Sequence, residues 1–314
     1  MSRPALEKIL KQPKKLHQNF PLSKILYYRV GGPAEALLMN PSSDDLIAAI
    51  NWVCDEGIPF QVIGSGTNLL VSDRGLSGLT IFLGPNLIFK PKVLSENSAH
   101  LRVRFEAQDA KADVLDWAMK NRLLGLEFSA GIPGTMGGAV YMNAGTKWGS
   151  YADVVERVYL YSPQFGKIER TAEQMGFKYR GHGEGLMSDG AIVLSVDFKL
   201  PKAQGALELL ESRKKIDEIL MYRGIRQPLD YPSCGSVFKN PLNSERGAGR
   251  LIEAAGLKGL RQGSAMVSLK HANFILNLGH AKASDINGLI HKIISRVKKN
   301  SGIILEPEVV RLGF

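Results

Sequence analysis

The spacing of apolar residues changes several times along the chain, and each change predicts an element. Leu101, Val103 and Phe105 alternate with Arg102, Arg104 and Glu106, and Ile192, Leu194, Val196, Phe198 and Leu200 recur at every second position past Ser195, Asp197 and Lys199. A period of two puts one face on a core and the other in solvent, so both segments are expected to be strands. Shorter apolar runs at 36–39, 59–63, 69–71, 79–83 and 274–278 predict further strands bounded by turn residues. Elsewhere the period is near 3.6. Leu46, Ile47, Ile50, Val53 and Cys54 share one helical face that Ser43 caps and Gly57 ends, which makes Cys54 a core residue. Ile286, Leu289, Ile290, Ile293 and Val297 line a second, strongly amphipathic helix, capped by Ser284 and stopped by Gly302. Helical spacing also covers 112–123, 207–223 and 249–255.

The first 24 residues carry Lys8, Lys11, Lys14 and Lys15 among scattered apolar positions and read as a short helix followed by a tether. Residues 201–205, Pro-Lys-Ala-Gln-Gly, have the composition of a linker. The expected organisation is a basic segment over 1–24, a first domain over 25–203 and a second over 206–314. Strands and helices are mixed without strict alternation, so the fold class is α+β.

A length of 314 residues agrees with about two domains. With 44% hydrophobic and 22% charged residues the chain is of ordinary globular composition. No apolar run reaches the roughly 18 residues of a membrane span, and the basic N-terminus lacks the apolar stretch of a signal peptide, so a cytoplasmic location without membrane insertion is expected. Two cysteines, Cys54 and Cys234, make no disulfide framework, and no His or Cys spacing supports a metal. A net charge of +10 suits nucleic acid, a membrane surface or small polyanions equally. No helix-turn-helix, zinc or RNP pattern appears, which removes the reason for a nucleic-acid partner.

Candidate chemistry concentrates in two glycine-rich loops. Gly64-Ser65-Gly66-Thr67-Asn68-Leu69 follows an apolar strand, where backbone N–H groups can wrap a phosphate. It is neither a dinucleotide fingerprint nor a P-loop, because Leu69 stands at the third glycine position and no lysine follows. Gly131-Ile132-Pro133-Gly134-Thr135-Met136-Gly137-Gly138 is longer; by composition it reads equally as a pyrophosphate loop or as two tight turns. Gly235-Ser236-Val237-Phe238-Lys239-Asn240 places a hydroxyl, a cation and an amide in one loop, without the GxSxG setting of a hydrolase serine. Tyr179-Arg180 can aim a guanidinium at a carboxylate, Glu306-Pro307-Glu308 offers a carboxylate near the chain end, and His271 is the one histidine placed near these segments. Ser236 also reads as a lone serine in a turn, Tyr179-Arg180 as a solvated strand end, and Glu306 and Glu308 as a surface pair.

In this order the segments resemble the UDP-N-acetylenolpyruvoylglucosamine reductase family over roughly residues 25–314. The motifs are Tyr28-Arg29-Val30-Gly31-Gly32-Pro33-Ala34, residues 64–73, residues 131–145 ending in Met142-Asn143-Ala144-Gly145, Tyr179-Arg180, residues 235–241, and Leu305-Glu306-Pro307-Glu308-Val309. The resemblance implies a two-lobed FAD-binding domain of the vanillyl-alcohol-oxidase type followed by an α+β substrate-binding domain. It implies non-covalent FAD, NADPH as hydride donor, and reduction of the enolpyruvyl ether of UDP-N-acetylglucosamine to UDP-N-acetylmuramate by a monomer. Carried over by position, Ser236 is the proton donor and Arg180 and Glu308 are the other catalytic residues. Gly64, Ser65, Gly66, Thr67, Asn68, Leu69, Gly131, Ile132, Gly134, Gly137 and Gly138 hold the cofactor, and Tyr179, Lys239, Asn240 and His271 meet the substrate.

Two places depart from the family pattern: Gly181-His182-Gly183 follows Arg180 where a serine is common, and Leu269 replaces an acidic residue before Lys270-His271-Ala272-Asn273. Residues 181–190 carry no tyrosine, which resembles the branch of the family without a substrate lid. Cys234, two residues before Ser236, is read as loop packing. An oxidase of alcohols or sugars on the same fold is the competing enzyme; such enzymes often tether flavin to a histidine, and neither glycine loop contains one.

Overall fold

The computed structural model describes residues 10, 11, 13–183 and 190–314. Lys8 and most of the expected N-terminal helix, and the middle of segment 181–190, lie outside the described residues. The elements in chain order begin with β1 (Leu16–Pro21), β2 (Pro33–Met39), α1 (Ser43–Asp55), β3 (Phe60–Ile63), β4 (Leu69–Val71) and β5 (Leu76–Phe82). Next come β6 (Lys92–Glu96), β7 (His100–Glu106), α2 (Lys111–Lys120), α3 (Met136–Tyr141), β8 (Gly145–Thr146) and β9 (Gly149–Ser150). They are followed by β10 (Val155–Ser162), β11 (Gly166–Thr171), α4 (Ala172–Met175), β12 (Ile192–Pro201) and α5 (Ala206–Arg226). The last are α6 (Ala248–Ala254), β13 (Arg261–Gln262), β14 (Ala265–Val267), β15 (Ile275–Asn277), α7 (Ala283–Ser301) and β16 (Val310–Leu312).

The chain forms two compact units that are each discontinuous in sequence. Gln18–Leu37, Gly66–Thr80 and Gly224–Phe314 make one, called here the C-terminal unit, and the remaining described residues make the other. The latter is built on the antiparallel sheet β11-β10-β12-β7-β6. Register follows from the alternation: Val196, Phe198 and Leu200 stand opposite Phe105, Val103 and Leu101, and all six are buried. On the other face Asp197 stands opposite Arg104, and they form a two-pronged ion pair at 2.6 and 2.8 Å. α2 and α3 supply Val114, Ala118, Met136, Ala139 and Val140 to the same core. The C-terminal unit buries Ile286, Leu289, Ile290, Ile293 and Val297 of α7 with β14, β15 and residues of the Ser236 loop, and β16 pairs in parallel with β4. A further sheet has the order β1-β2-β5-β3.

Several local expectations change. The tether is in part the strand β1, because an edge strand needs only one paired side and no long apolar pattern. Ser42, not Ser43, caps α1 through its Oγ and the N–H of Asp45, and Cys54 is exposed, one position beyond the buried face. Ser284 lies inside α7; Lys282 is the cap position, and its N–H is satisfied by Asp285. Among the described residues no helix is long and apolar enough to cross a membrane.

Candidate active site

The first glycine loop joins β3 to β4. Among the described residues the amide N–H groups of Gly64, Ser65, Gly66, Thr67 and Asn68 have no hydrogen-bond acceptor. Gly66 adopts φ +70°, and a Cβ there would lie 2.7 Å from Leu26 Cδ2, so only glycine fits the turn. In the second loop the amides of Gly131, Gly134, Thr135 and Gly138 are likewise without acceptors, whereas Ile132 and Gly137 spend theirs on Ser129 and Ala107 carbonyls at 3.0 and 2.8 Å. The loops meet at Thr135: a Cβ on Gly64 would be 3.4 Å from its Oγ1 and one on Gly138 4.0 Å from the same atom. Backbone donors held open beside small side chains are the donor set a pyrophosphate requires, so Gly64 and Ser65 with Gly131, Gly134, Thr135 and Gly138, all in one unit, fit the diphosphate of FAD.

Arg180 sits at the corner of a tight turn. Lys178 and Gly181 exchange backbone hydrogen bonds at 3.0 and 3.3 Å, and Arg180 takes φ +57°. Its Nη2 donates to the Gly145 carbonyl at 2.8 Å, and its guanidinium lies 5.0 Å from the centre of the Tyr179 ring. Asn143, itself at φ +40°, donates from Nδ2 to the Lys178 carbonyl at 2.9 Å and accepts from the Ala152 N–H at 3.0 Å. The Met142-Asn143-Ala144-Gly145 motif is therefore the bracket that holds the arginine turn. Tyr179 is exposed beside it.

The sequence reading missed two cations in the same unit. Lys111 opens α2 and is only 5% exposed. Burial pushes its ammonium down to about 7, and the charges of Arg223 and Arg180 push in the same direction. Arg223, in the last turns of α5, donates from Nη2 to the Gly131 carbonyl at 2.8 Å. Nothing in the local sequence marks either, because burial of a lysine at a helix start is decided by what packs over it.

In the C-terminal unit the Ser236 loop is clamped on both sides. The Cys234 thiol donates to the Leu69 carbonyl at 3.3 Å, with the Gly66 carbonyl at 3.8 Å. Burial pushes this thiol up to about 12, so it stays protonated and able to donate. After the serine, the Val237 N–H donates to the Asn273 carbonyl at 2.8 Å, and the Asn273 side chain accepts from the Phe238 N–H at 3.0 Å and donates to the Phe238 carbonyl at 2.8 Å. The Ser236 hydroxyl itself bonds no protein group among the described residues.

Glu308 is half-buried; its N–H donates to the Val237 carbonyl at 2.7 Å, and its carbonyl accepts from Asn68 Nδ2 at 3.0 Å. Lys239 pairs with Glu306 at 2.6 Å. Asn240 accepts through Oδ1 from the Ala248 N–H at 3.0 Å and so holds the start of α6. His271 accepts through Nδ1 from the Asn273 N–H at 3.2 Å and packs edge-on against Phe274, and burial lowers its pKa, which keeps it neutral. The structure thus brings Ser236, Glu308, Lys239, Asn240 and Asn68 onto one connected backbone network, with His271 steering the asparagine that clamps it.

Known proteins resemble this chain along most of its length. Residues 227–312 match the model of the UDP-N-acetylenolpyruvoylglucosamine reductase C-terminal domain, and residues 34–172 match that of an FAD binding domain. UDP-N-acetylenolpyruvoylglucosamine reductase of Syntrophus aciditrophicus is 39% identical over 93% of this chain and 90% of the relative. That of Myxococcus xanthus is 42% identical over 93% and 91%. The crystal structure of UDP-N-acetylenolpyruvylglucosamine reductase from Thermus caldophilus superposes with a TM-score of 0.74 at 32% identity, covering 95% of this chain and 98% of that one.

Proposed function

The chain belongs to the UDP-N-acetylenolpyruvoylglucosamine reductase family, and from that premise we propose that Ser236, Arg180 and Glu308 carry its chemistry. It is an FAD-dependent oxidoreductase of peptidoglycan precursor synthesis. Bound FAD supplies the hydride chemistry, taken from NADPH and delivered to the enolpyruvyl ether of UDP-N-acetylglucosamine to give UDP-N-acetylmuramate. The open amides of Gly64, Ser65, Gly131, Gly134, Thr135 and Gly138 hold its diphosphate.

The protein's own task is to place charge and a proton. Reduction of an enol ether conjugated to a carboxylate builds negative charge on that carboxylate. A guanidinium there stabilises the transition state more than the ground state, and the Gly145 carbonyl fixes the orientation of the Arg180 fork. Ser236 donates the proton that completes the reduced side chain. An ordinary hydroxyl is a weak acid, so its partner must be a strongly basic carbon, and Glu308 tunes the network around it. Tyr179, Lys239, Asn240 and His271 contact the UDP-sugar or hold the segments that do. Cofactor binding is assigned to the segment 25–203 and substrate binding to 206–314, in a cytoplasmic monomer whose state light scattering checks.

The observation that carries the assignment is a hydroxyl bonded to no protein group on a loop clamped before and after it. Its test is Ser236→Ala under anaerobic conditions. The yellow protein should still bleach with NADPH, while turnover of the enolpyruvyl substrate falls about 10²–10⁴-fold. Wild-type turnover in the variant would remove Ser236 as the donor.

A further inference from the structure

Two cations, Lys111 and Arg223, gather at the second glycine loop without a carboxylate partner among the described residues. The Lys111 N–H donates to the Gly134 carbonyl at 3.0 Å, and Arg223 holds the Gly131 carbonyl at 2.8 Å. A Cβ on Gly131 would lie 2.8 Å from Arg223 Nε, which shows how closely the guanidinium covers the loop. Neither Lys111 nor Arg223 has a carboxylate within ion-pair distance among the described residues. The Arg180 charge reaches the same lysine. A lysine almost removed from water beside two guanidiniums is unfavourable in the protein alone, and its lowered pKa is the measure of that. Such a charge is retained when a ligand supplies the missing partner.

We propose that Lys111, backed by Arg223, is an anion-binding side chain whose counter-ion is a phosphate or carboxylate group carried by a ligand to the loop 131–138. The existence of the site stands on these residues; the identity of its ligand rests on the proposed reductase reading, in which FAD, NADPH and the UDP-sugar all bring such groups. The four open amides of the loop point to the same chemistry.

The test compares the purified protein with Lys111→Met, which keeps length and removes charge. Calorimetric titrations use inorganic pyrophosphate, FAD after flavin removal, NADP⁺ and UDP-N-acetylglucosamine, and thermal melting is followed without added anion. The variant should bind pyrophosphate and one of the three organic ligands about 10–100-fold more weakly, consistent with the loss of a charge-assisted contact. The ligand that weakens identifies the source of the anion. The melting temperature without anion should hold or rise, because an uncompensated charge is gone; a lysine serving only packing would lower it. Unchanged affinities for all four ligands overturn the proposal. If Lys111→Met does not fold, Arg223→Met must weaken pyrophosphate and one of the three organic ligands, and unchanged binding of all four there overturns it equally. Wild-type protein that takes up no FAD sinks the reductase reading, and the pyrophosphate titration still decides Lys111.

Discussion

Asn273 was not among the candidates in the sequence, yet the geometry makes it the strut of the Ser236 loop. Its amide accepts from the Phe238 N–H at 3.0 Å and donates to the Phe238 carbonyl at 2.8 Å, with both residues buried. Asn273→Ala leaves those two backbone groups without partners in a residue only 1% exposed. A buried polar group stripped of its partner costs about 1–3 kcal/mol, so the pair amounts to roughly 2–6 kcal/mol before water or relaxation recovers part of it. We expect a net loss of about 3 kcal/mol, a fall in melting temperature of roughly 5–10 °C for a protein of this size. The loop that carries Ser236 loosens with it, and misplacement by about 1 Å costs on the order of 10²-fold in rate. Thermal melting followed by flavin release gives the stability change, and steady-state kinetics gives the rate. Substrate turnover should fall while the KM for NADPH stays put. A variant melting within 1 °C of wild type with normal turnover would refute the strut.

Alkylation distinguishes the two thiols: at pH 8 iodoacetamide should label exposed Cys54 and spare Cys234, whose buried thiol is pushed up to about 12, with one label per chain by mass spectrometry and activity kept. Rapid labelling of Cys234 would show that its loop opens. Asp197→Ala should cost about 2–4 kcal/mol in urea unfolding, since it strands Arg104 and the Tyr159 hydroxyl that donates to the same carboxylate at 3.0 Å. A loss below about 0.5 kcal/mol would mean solvent already screens the pair. Lys111 gives a pH signature in flavin-free protein. Its folded pKa of about 7 lies below the unfolded value near 10.5, so between those limits the unfolded chain holds the extra proton and stability rises with pH. At about 1.4 kcal/mol per pH unit the slope integrates to at most about 5 kcal/mol, and it should vanish from the difference curve with Lys111→Met. Parallel wild-type and variant curves across that window would show the lysine charged in the fold.

The elements that repeat on a local period were legible in the chain itself. Val196, Phe198 and Leu200 against Leu101, Val103 and Phe105, and the apolar face of α7, are where the alternation and the 3.6 period put them, because one-sided burial leaves its mark residue by residue. The glycine loops were visible as short runs of unusual composition, whereas the Ser236, Arg180 and Glu308 segments stood out only through the order they share with a known family. What those runs do depended on partners far away in sequence. Asn68 reaches the Glu308 carbonyl across 240 positions, Cys234 reaches Leu69 across 165, and Asn143 reaches Lys178 across 35. No local pattern encodes such pairs. The edge strand β1 hid behind lysines, Cys54 turned outward by one helical position, and Lys111 looked like any solvated helix start. Burial and partnership are properties of two or more segments at once, so only the packed tertiary structure could decide which polar groups are satisfied and which are left open for a ligand.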